Sequence, residues 1–236
     1  MGNSGKRTRP SQFTNIHMLM HKLTLPSGDF GAYLFDCDGT IVDSMPLHYI
    51  AWKQALGEWN CEFDEELFYA WGGKPPVQII AELNQMHGLA IPVAALAERK
   101  ENLYFDLLHD LKPVPEVLEI IHAEHGRIPF AVVSGSTRES IIKSLTMVGL
   151  LQFFPIIVGS EDYARPKPAP DVFVAGAARL GVAPEKCLVF EDAQIGIQGA
   201  IAAGMATVRI LNPLERRELE RRELERRKGT EARISA

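Results

Sequence analysis

Asp36 and Asp38 stand two residues apart, directly after the apolar run 33–35 and before Gly39-Thr40. In isolation Asp-x-Asp-Gly reads as a surface turn between strands. A buried strand that ends in two acids is a different matter, because an unpaired buried charge is costly. If both acids lie at a strand's carboxyl end, they point into the crevice where open α/β sheets bind ligands. Other polar groups also follow apolar runs: Ser134-Gly135-Ser136 after 129–133, and Glu191-Asp192 after 187–190, with Lys167 between them. Four carboxylates gathered at one edge repel unless a cation offsets them. All-oxygen ligation suits Mg²⁺, which favours phosphate partners. Lys167 and the hydroxyl and amides of Ser134-Gly135-Ser136 are donors suited to phosphate oxygens. Together they fit phosphoryl transfer, where catalysis is positioning and charge neutralisation. Asp36 is the candidate nucleophile, able to form an aspartyl-phosphate. Asp38 is the candidate acid that protonates the leaving oxygen and then deprotonates a water.

Positioning these groups requires a parallel sheet. Helices are expected over 116–125, 138–148, 171–180 and 193–203, alternating with strands over 129–133, 155–158, 187–190 and 206–211. Gly149, Gly181 and Gly204 stop three of the helices. Repeated βα units with short apolar strands imply a parallel sheet covered on both faces. Residues 44–112 read instead as an all-helical block, with helices over 44–57, 64–71, 76–87 and 92–111. Ser44 is the expected cap of the first and Pro46 lies in its first turn. The fold class is therefore α/β, a Rossmann-like core formed by 29–43 and 113–211 with a helical insert at 44–112. A basic leader (1–28) and a charged low-complexity tail (212–236) flank them. The tail's five-residue repeat places Leu214, Leu219 and Leu224 around a helix rather than on one face, so a solvated segment, helical or not, is expected, with a basic contact arm as the alternative.

Composition narrows the function classes. The 236 residues are 46% hydrophobic and 23% charged, ordinary for a globular protein. A net charge of −5 argues against a nucleic-acid partner. Cys37, Cys61 and Cys187 show no ligand spacing and read as free thiols of a reducing compartment. No run is long and apolar enough to cross a membrane. The expected protein is cytoplasmic and monomeric, with a small phosphorylated metabolite as its partner. Residues 1–28 carry Lys6, Arg7, Arg9 and Lys22 and no acid before Asp29. An organelle transit segment shares that composition, and a basic leader without a fold of its own is preferred.

Phe35-Asp36-Cys37-Asp38-Gly39-Thr40-Ile41-Val42-Asp43-Ser44 resembles the first motif of the haloacid dehalogenase-like superfamily. Ser134 matches its second motif, Lys167 in Arg-Pro-Lys-Pro its third, and Glu191-Asp192 its fourth. All four occur in the family's order. The resemblance implies a Rossmann-like core with a helical cap after the first motif. It also implies Mg²⁺ held by Asp36, the carbonyl of Asp38 and Asp192, with Glu191 close by. The sugar-phosphate phosphatases and β-phosphoglucomutases of the superfamily are the most similar. They place a cap histidine at His48 and a cap lysine at Lys100, and Lys74 falls near the cap arginine that binds a mutase's second phosphate. An acid at Asp38 favours phosphate transfer over dehalogenation. The core ends soon after Leu211, where those mutases continue.

Blander roles stand beside these. His48 is equally readable as an exposed helix residue, and Lys100 as part of the solvated run Glu98-Arg99-Lys100-Glu101. Asp43 suits a turn or helix cap. Trp52, Trp59 and Trp71 suit packing within the helical block, and Gly196 and Gly199 close helix–sheet contacts. Cys37 should point away from its two neighbours, into the core. The leading function is a Mg²⁺-dependent phosphomonoesterase of a small sugar or polyol phosphate; the alternative is a β-phosphoglucomutase-like mutase. A receiver-type signalling domain also gathers acids, a hydroxyl and a lysine, but on a different order of strands and without a helical insert.

Overall fold

The computed structural model describes residues 23–234, with side chains to residue 226. Most of the expected leader, including Lys6, Arg7, Arg9 and Lys22, lies outside the described residues. Leu23 and Leu25, which composition grouped with that leader, are partly buried against the core.

The sheet is formed by β1 (Ala32–Phe35), β2 (Phe130–Val133), β3 (Ile156–Val158), β4 (Cys187–Glu191) and β5 (Ala206–Arg209). All pairings are parallel, in the order β3-β2-β1-β4-β5. The chain winds outward from β1 to β3, then crosses back to place β4 on the other side of β1. The carboxyl ends of β1 and β4 are therefore neighbours at the point where winding reverses, the crevice in which such sheets bind ligands.

Side-chain alternation sorts the strands onto two faces. Tyr33, Phe35, Phe130, Val132, Leu188 and Phe190 point to one core. It is covered by α5 (Pro115–Glu124) and α6 (Arg138–Met147) through Val117, Ile121, Ile141 and Leu145. The Phe35 and Phe190 rings stack there at 4.5 Å. Leu34, Ala131, Val133, Cys187 and Val189 point to the other core. That face is covered by α7 (Asp171–Leu180) and α8 (Gln194–Ala202) through Val172, Phe173, Ala177 and Ala200. The same parity sends Asp36 and Glu191 toward the α7 side, and Cys37 into the first core, where it is fully buried.

Between β1 and α5 lie α1 (Met45–Gly57), α2 (Glu65–Ala70), α3 (Pro76–His87) and α4 (Val93–Asp106). Their shared core includes Trp52, Leu56, Phe63, Phe68, Ile80, Leu83 and Leu96. Local signals set most of the boundaries. Asp64 caps α2 by accepting from Leu67 N–H at 2.7 Å, and Pro76 opens α3. Two expectations are corrected. Ser44 does not cap α1 with its side chain; its hydroxyl is used elsewhere, as described below. The helix expected to run to residue 111 ends at Asp106 and is followed by a 3₁₀ turn, Leu108–Asp110. No breaker residue marks that end. The chain must turn there to bury Leu108 and Leu111 in the sheet-side core, and packing overrides helical preference.

The tail is also corrected. The helix the repeat allows does form, as α9 (Pro213–Ile234), but its first turns are partly buried rather than fully solvated. Asn212 and Glu215 cap it reciprocally, each accepting from the other's backbone N–H at 3.0 Å. Arg216 reaches Asp43 at 2.5 Å and Arg217 reaches Glu65 on α2 at 2.8 Å. Asp43 is thus an ion-pair partner of this helix rather than a cap of α1. No described helix is long and apolar enough to cross a membrane.

One buried hydrogen bond joins the helical block to the sheet-covering layer: Tyr104 on α4 meets Ser144 on α6 at 2.9 Å. Tyr104→Phe removes this bond with little change in packing. It should lower stability by about 1 kcal/mol, read as a fall in the urea midpoint at unchanged slope.

Candidate active site

Asp36, Ser134, Glu191 and Asp192 each end or directly follow a strand, and the ladder places them. Asp36 N–H donates to the Phe190 carbonyl at 3.0 Å, and Ser134 N–H to Val158 at 3.0 Å. Asp36 is therefore held at the end of β1 beside Glu191, the last residue of β4. Lys167 arrives from the segment before α7, on the face to which alternation directs both acids. Its Nζ donates to Asp36 Oδ1 at 2.6 Å and to Glu191 Oε2 at 2.7 Å. All three side chains are buried. Burial alone would favour a neutral lysine; the two carboxylates overcome it and hold Lys167 protonated well above its usual range. Glu191 Oε1 accepts from Ala193 N–H at 3.0 Å, so both of its oxygens are engaged.

Asp192 completes the acidic cluster and accepts from Thr40 at 3.1 Å. Oxygens of Asp36, Glu191 and Asp192 lie within 4.8 Å of one another. Burial and the Glu191 charge push the Asp192 carboxyl up to about 8, against the Thr40 hydrogen bond and Lys167. Asp36 is raised well above the carboxylate range by burial and Glu191, with Lys167 opposing. These upward shifts reflect three carboxylates facing one lysine, so all three can ionise together only with further positive charge. A hard cation with oxygen ligands fits this donor set and its electrostatic deficit. Two glycines keep the cluster tight: a Cβ on Gly39 (φ +82°) would collide with the Asp192 carboxylate, and one on Gly196 with that of Glu191.

Asp38 faces a different set of partners. Its Oδ1 accepts from Ser44 Oγ at 2.7 Å and from His48 Nε2 at 3.1 Å; its Oδ2 accepts from Ser136 Oγ at 2.6 Å. Burial works against ionisation, but His48 and the hydrogen bonds from Ser136 and Ser44 hold this carboxyl well below its usual range. Lys100 Nζ meets His48 Nδ1 at 2.9 Å. An ammonium only donates, so Nδ1 accepts and Nε2 carries the hydrogen given to Asp38. Burial and the neighbouring Lys100 lower the His48 pKa, which favours this neutral tautomer. The Tyr104 ring lies against the imidazole, with centroids 3.8 Å apart.

The two sets of groups open on one cavity of about 280 Å³, between the sheet edge and the helical block. Asp36, Asp38, His48, Lys100, Ser134, Gly135, Lys167, Glu191 and Asp192 all line it. The Ser134 hydroxyl accepts from Ser136 N–H at 3.1 Å. Lys100, readable from sequence as part of a solvated run, is only 4% exposed, and His48 is buried too. Trp52 and Trp71 line the cavity rather than serving packing alone, whereas Trp59 is 41% exposed. The Ser136 hydroxyl donates to Asp38.

A model of the haloacid dehalogenase-like hydrolases matches residues 33–210, most of the chain. The chain belongs to this family. A fructose-1-phosphate phosphatase of Escherichia coli, YqaB, is 38% identical over 77% of this chain and 96% of its own length. A phosphorylated carbohydrates phosphatase of Thermotoga maritima is 26% identical over 75% of this chain and 83% of its own. Among solved structures, a β-phosphoglucomutase from Clostridium difficile shares the fold, with a TM-score of 0.70 at 22% identity. That match covers 83% of this chain and 98% of that one.

Within this haloacid dehalogenase-like hydrolase, sequence reasoning missed three supporting groups. Thr40 lies inside the first motif, which was its only signal. Ser44 was assigned to a helix start, a use that suits the same hydroxyl. Glu101, which Lys100 meets at 3.2 Å, looked like one charge of many in its run. The central dependence is testable. Lys167→Met leaves Asp36 and Glu191 buried without their cation and should cost about 3–5 kcal/mol. Chemical denaturation in chelator should show the loss, and millimolar Mg²⁺ should recover part of it.

Proposed function

We propose that this hydrolase is a Mg²⁺-dependent phosphomonoesterase of small sugar or polyol monophosphates, working through an aspartyl-phosphate on Asp36. The observation that carries the reading is the division of the two aspartates. Asp36 is tied to Lys167 at the sheet edge, while Asp38 is tied to Ser44, His48 and Ser136 from three other segments. The E. coli and T. maritima relatives, both named as phosphatases of phosphorylated sugars, support the substrate class.

In this reading a carboxylate oxygen of Asp36 attacks phosphorus, and the P–O bond to the sugar breaks. Asp38 delivers a proton to the departing oxygen. Asp38 gains that proton from solvent when the phosphate dianion binds beside it, while His48 Nε2 orients its carboxyl at 3.1 Å and Lys100 fixes the imidazole tautomer through Nδ1 at 2.9 Å. Asp38, then ionised, takes a proton from water as the water attacks the phosphoryl group, which restores Asp36 and releases phosphate. Lys167 holds Asp36 in line and offsets charge; Ser134 and the Gly135 backbone receive phosphoryl oxygens. Asp36 and Asp192, with the Asp38 carbonyl, hold Mg²⁺, and Glu191 orients Lys167. When bound, the ion neutralises the approach of an anionic nucleophile to an anionic phosphate. Residues 44–112 act as the cap over the leaving group.

A panel of sugar monophosphates, assayed for phosphate release with Mg²⁺ and with chelator, tests the reading. Release from fructose 1-phosphate or a related monophosphate should vanish on chelation and return with Mg²⁺. Asp36→Asn should abolish turnover while leaving the thermal melt intact. Conversion of β-glucose 1-phosphate to glucose 6-phosphate without phosphate release, given a trace of the 1,6-bisphosphate, would make the protein a mutase.

A further inference from the structure

The cavity is lined by three lysines, Lys74, Lys100 and Lys167, and its described lining has no arginine. Each lysine is already paired with a carboxylate. Lys167 serves Asp36 and Glu191, and Lys100 serves Glu101 as well as His48. Lys74 lies in the loop before α3, on the wall formed by the helical block, and has no role in the chemistry above. Its Nζ donates to both oxygens of Glu82, at 2.9 and 2.7 Å, and lies 4.3 Å from the centroid of the Trp71 ring. Glu82 is on α3 and is not part of the cavity lining, so it acts on the cavity through Lys74.

We propose that Glu82 is a specificity-determining residue, which pairs with Lys74 and makes the cavity select sugar monophosphates over the same sugars bearing a second phosphate. The inference rests on the phosphatase reading and names its substrate class more narrowly. A phosphate dianion needs an uncommitted cation or an array of donors where it settles. Lys74 is the cation on the helical wall that could serve, and a bidentate carboxylate cancels its charge. A second phosphate must take the lysine from Glu82 or settle beside the carboxylate, and either penalises the doubly charged substrate; such discrimination by repulsion is negative selection against the wrong ligand. A neutral hydroxylated body pays neither cost. It meets the donors of Lys74 and the parts of Trp52 and Trp71 that line the cavity. The pair is partly exposed, with 26% and 40% of the two side chains accessible, so the selection is moderate in size.

The test compares kcat/KM for fructose 1-phosphate and fructose 1,6-bisphosphate in the wild type, in Glu82→Gln, and in Glu82→Gln combined with Lys74→Met. Gln preserves shape and an acceptor while removing the charge. The wild type should favour the monophosphate. Glu82→Gln should cut that preference about tenfold, through a lower KM for the bisphosphate, and adding Lys74→Met should restore it. The same order should appear when bisphosphate affinity is measured by calorimetry in the Asp36→Asn background. A preference that stays within twofold of wild type in Glu82→Gln would overturn the proposal, as would a gain that survives loss of Lys74. A wild type that releases phosphate from no sugar phosphate would instead remove the phosphatase reading itself, and this inference with it.

Discussion

The site depends on one buried cation between two buried anions. Lys167 spans Asp36 on β1 and Glu191 on β4 at hydrogen-bond distance, with all three side chains out of water. Such a triad is stable only while complete, because each member's desolvation is offset by the others. The rest of the core follows from keeping it complete. Parallel pairing of β1 with β4 sets the two acids side by side. The alternation that buries Leu34 and Val189 under α7 turns both acids toward the segment that brings Lys167. Glycines at 39 and 196 leave room for the carboxylates to approach. One lysine does not offset three clustered acids, and a divalent cation would make up the deficit.

Asp38 obeys a different logic. Its partners come from the end of the first loop (Ser44), from α1 (His48) and from the loop after β2 (Ser136). Behind His48 stand Lys100 and Tyr104 on α4, and Tyr104 reaches Ser144 on α6. The group proposed to handle the leaving-group proton is therefore wired to the position of the helical block, whereas Asp36, the proposed nucleophile, is wired to the sheet and to Lys167. Motion of those helices would change the protonation machinery and leave Asp36 and Lys167 in place. Lid motions that complete an active site use couplings of this kind.

The sequence carried the sheet-edge half of the site openly. Acids directly after short apolar runs need a cation, and strand ends in a βα alternation lie on one edge, so Asp36, Ser134 and Glu191-Asp192 could be grouped without a structure. The cap half was less legible. His48 and Lys100 are polar residues on helices with charged neighbours, and only their approach from 52 residues apart distinguishes them from surface groups. The Ser44 hydroxyl suits a helix cap and a carboxylate donor equally, and sequence has no means of ranking the two. Pairings such as Tyr104 with Ser144, or Arg216 with Asp43 across 173 residues, leave no periodic trace. The last of these lies in a repeat whose spacing favoured solvent over a contact arm. Sequence resolves what local burial forces and misses what distant packing brings together.

The account stands on Asp36 as the attacking group. The measurement that reaches it most directly is rapid acid quench of the enzyme after mixing with fructose 1-phosphate and Mg²⁺, followed by mass spectrometry of the peptide that contains Asp36. The account predicts a phosphoryl adduct on Asp36 within the first turnover, absent when chelator replaces the metal. First-turnover phosphate release with that peptide unmodified at every quench time would mean direct attack by water, and would contradict it.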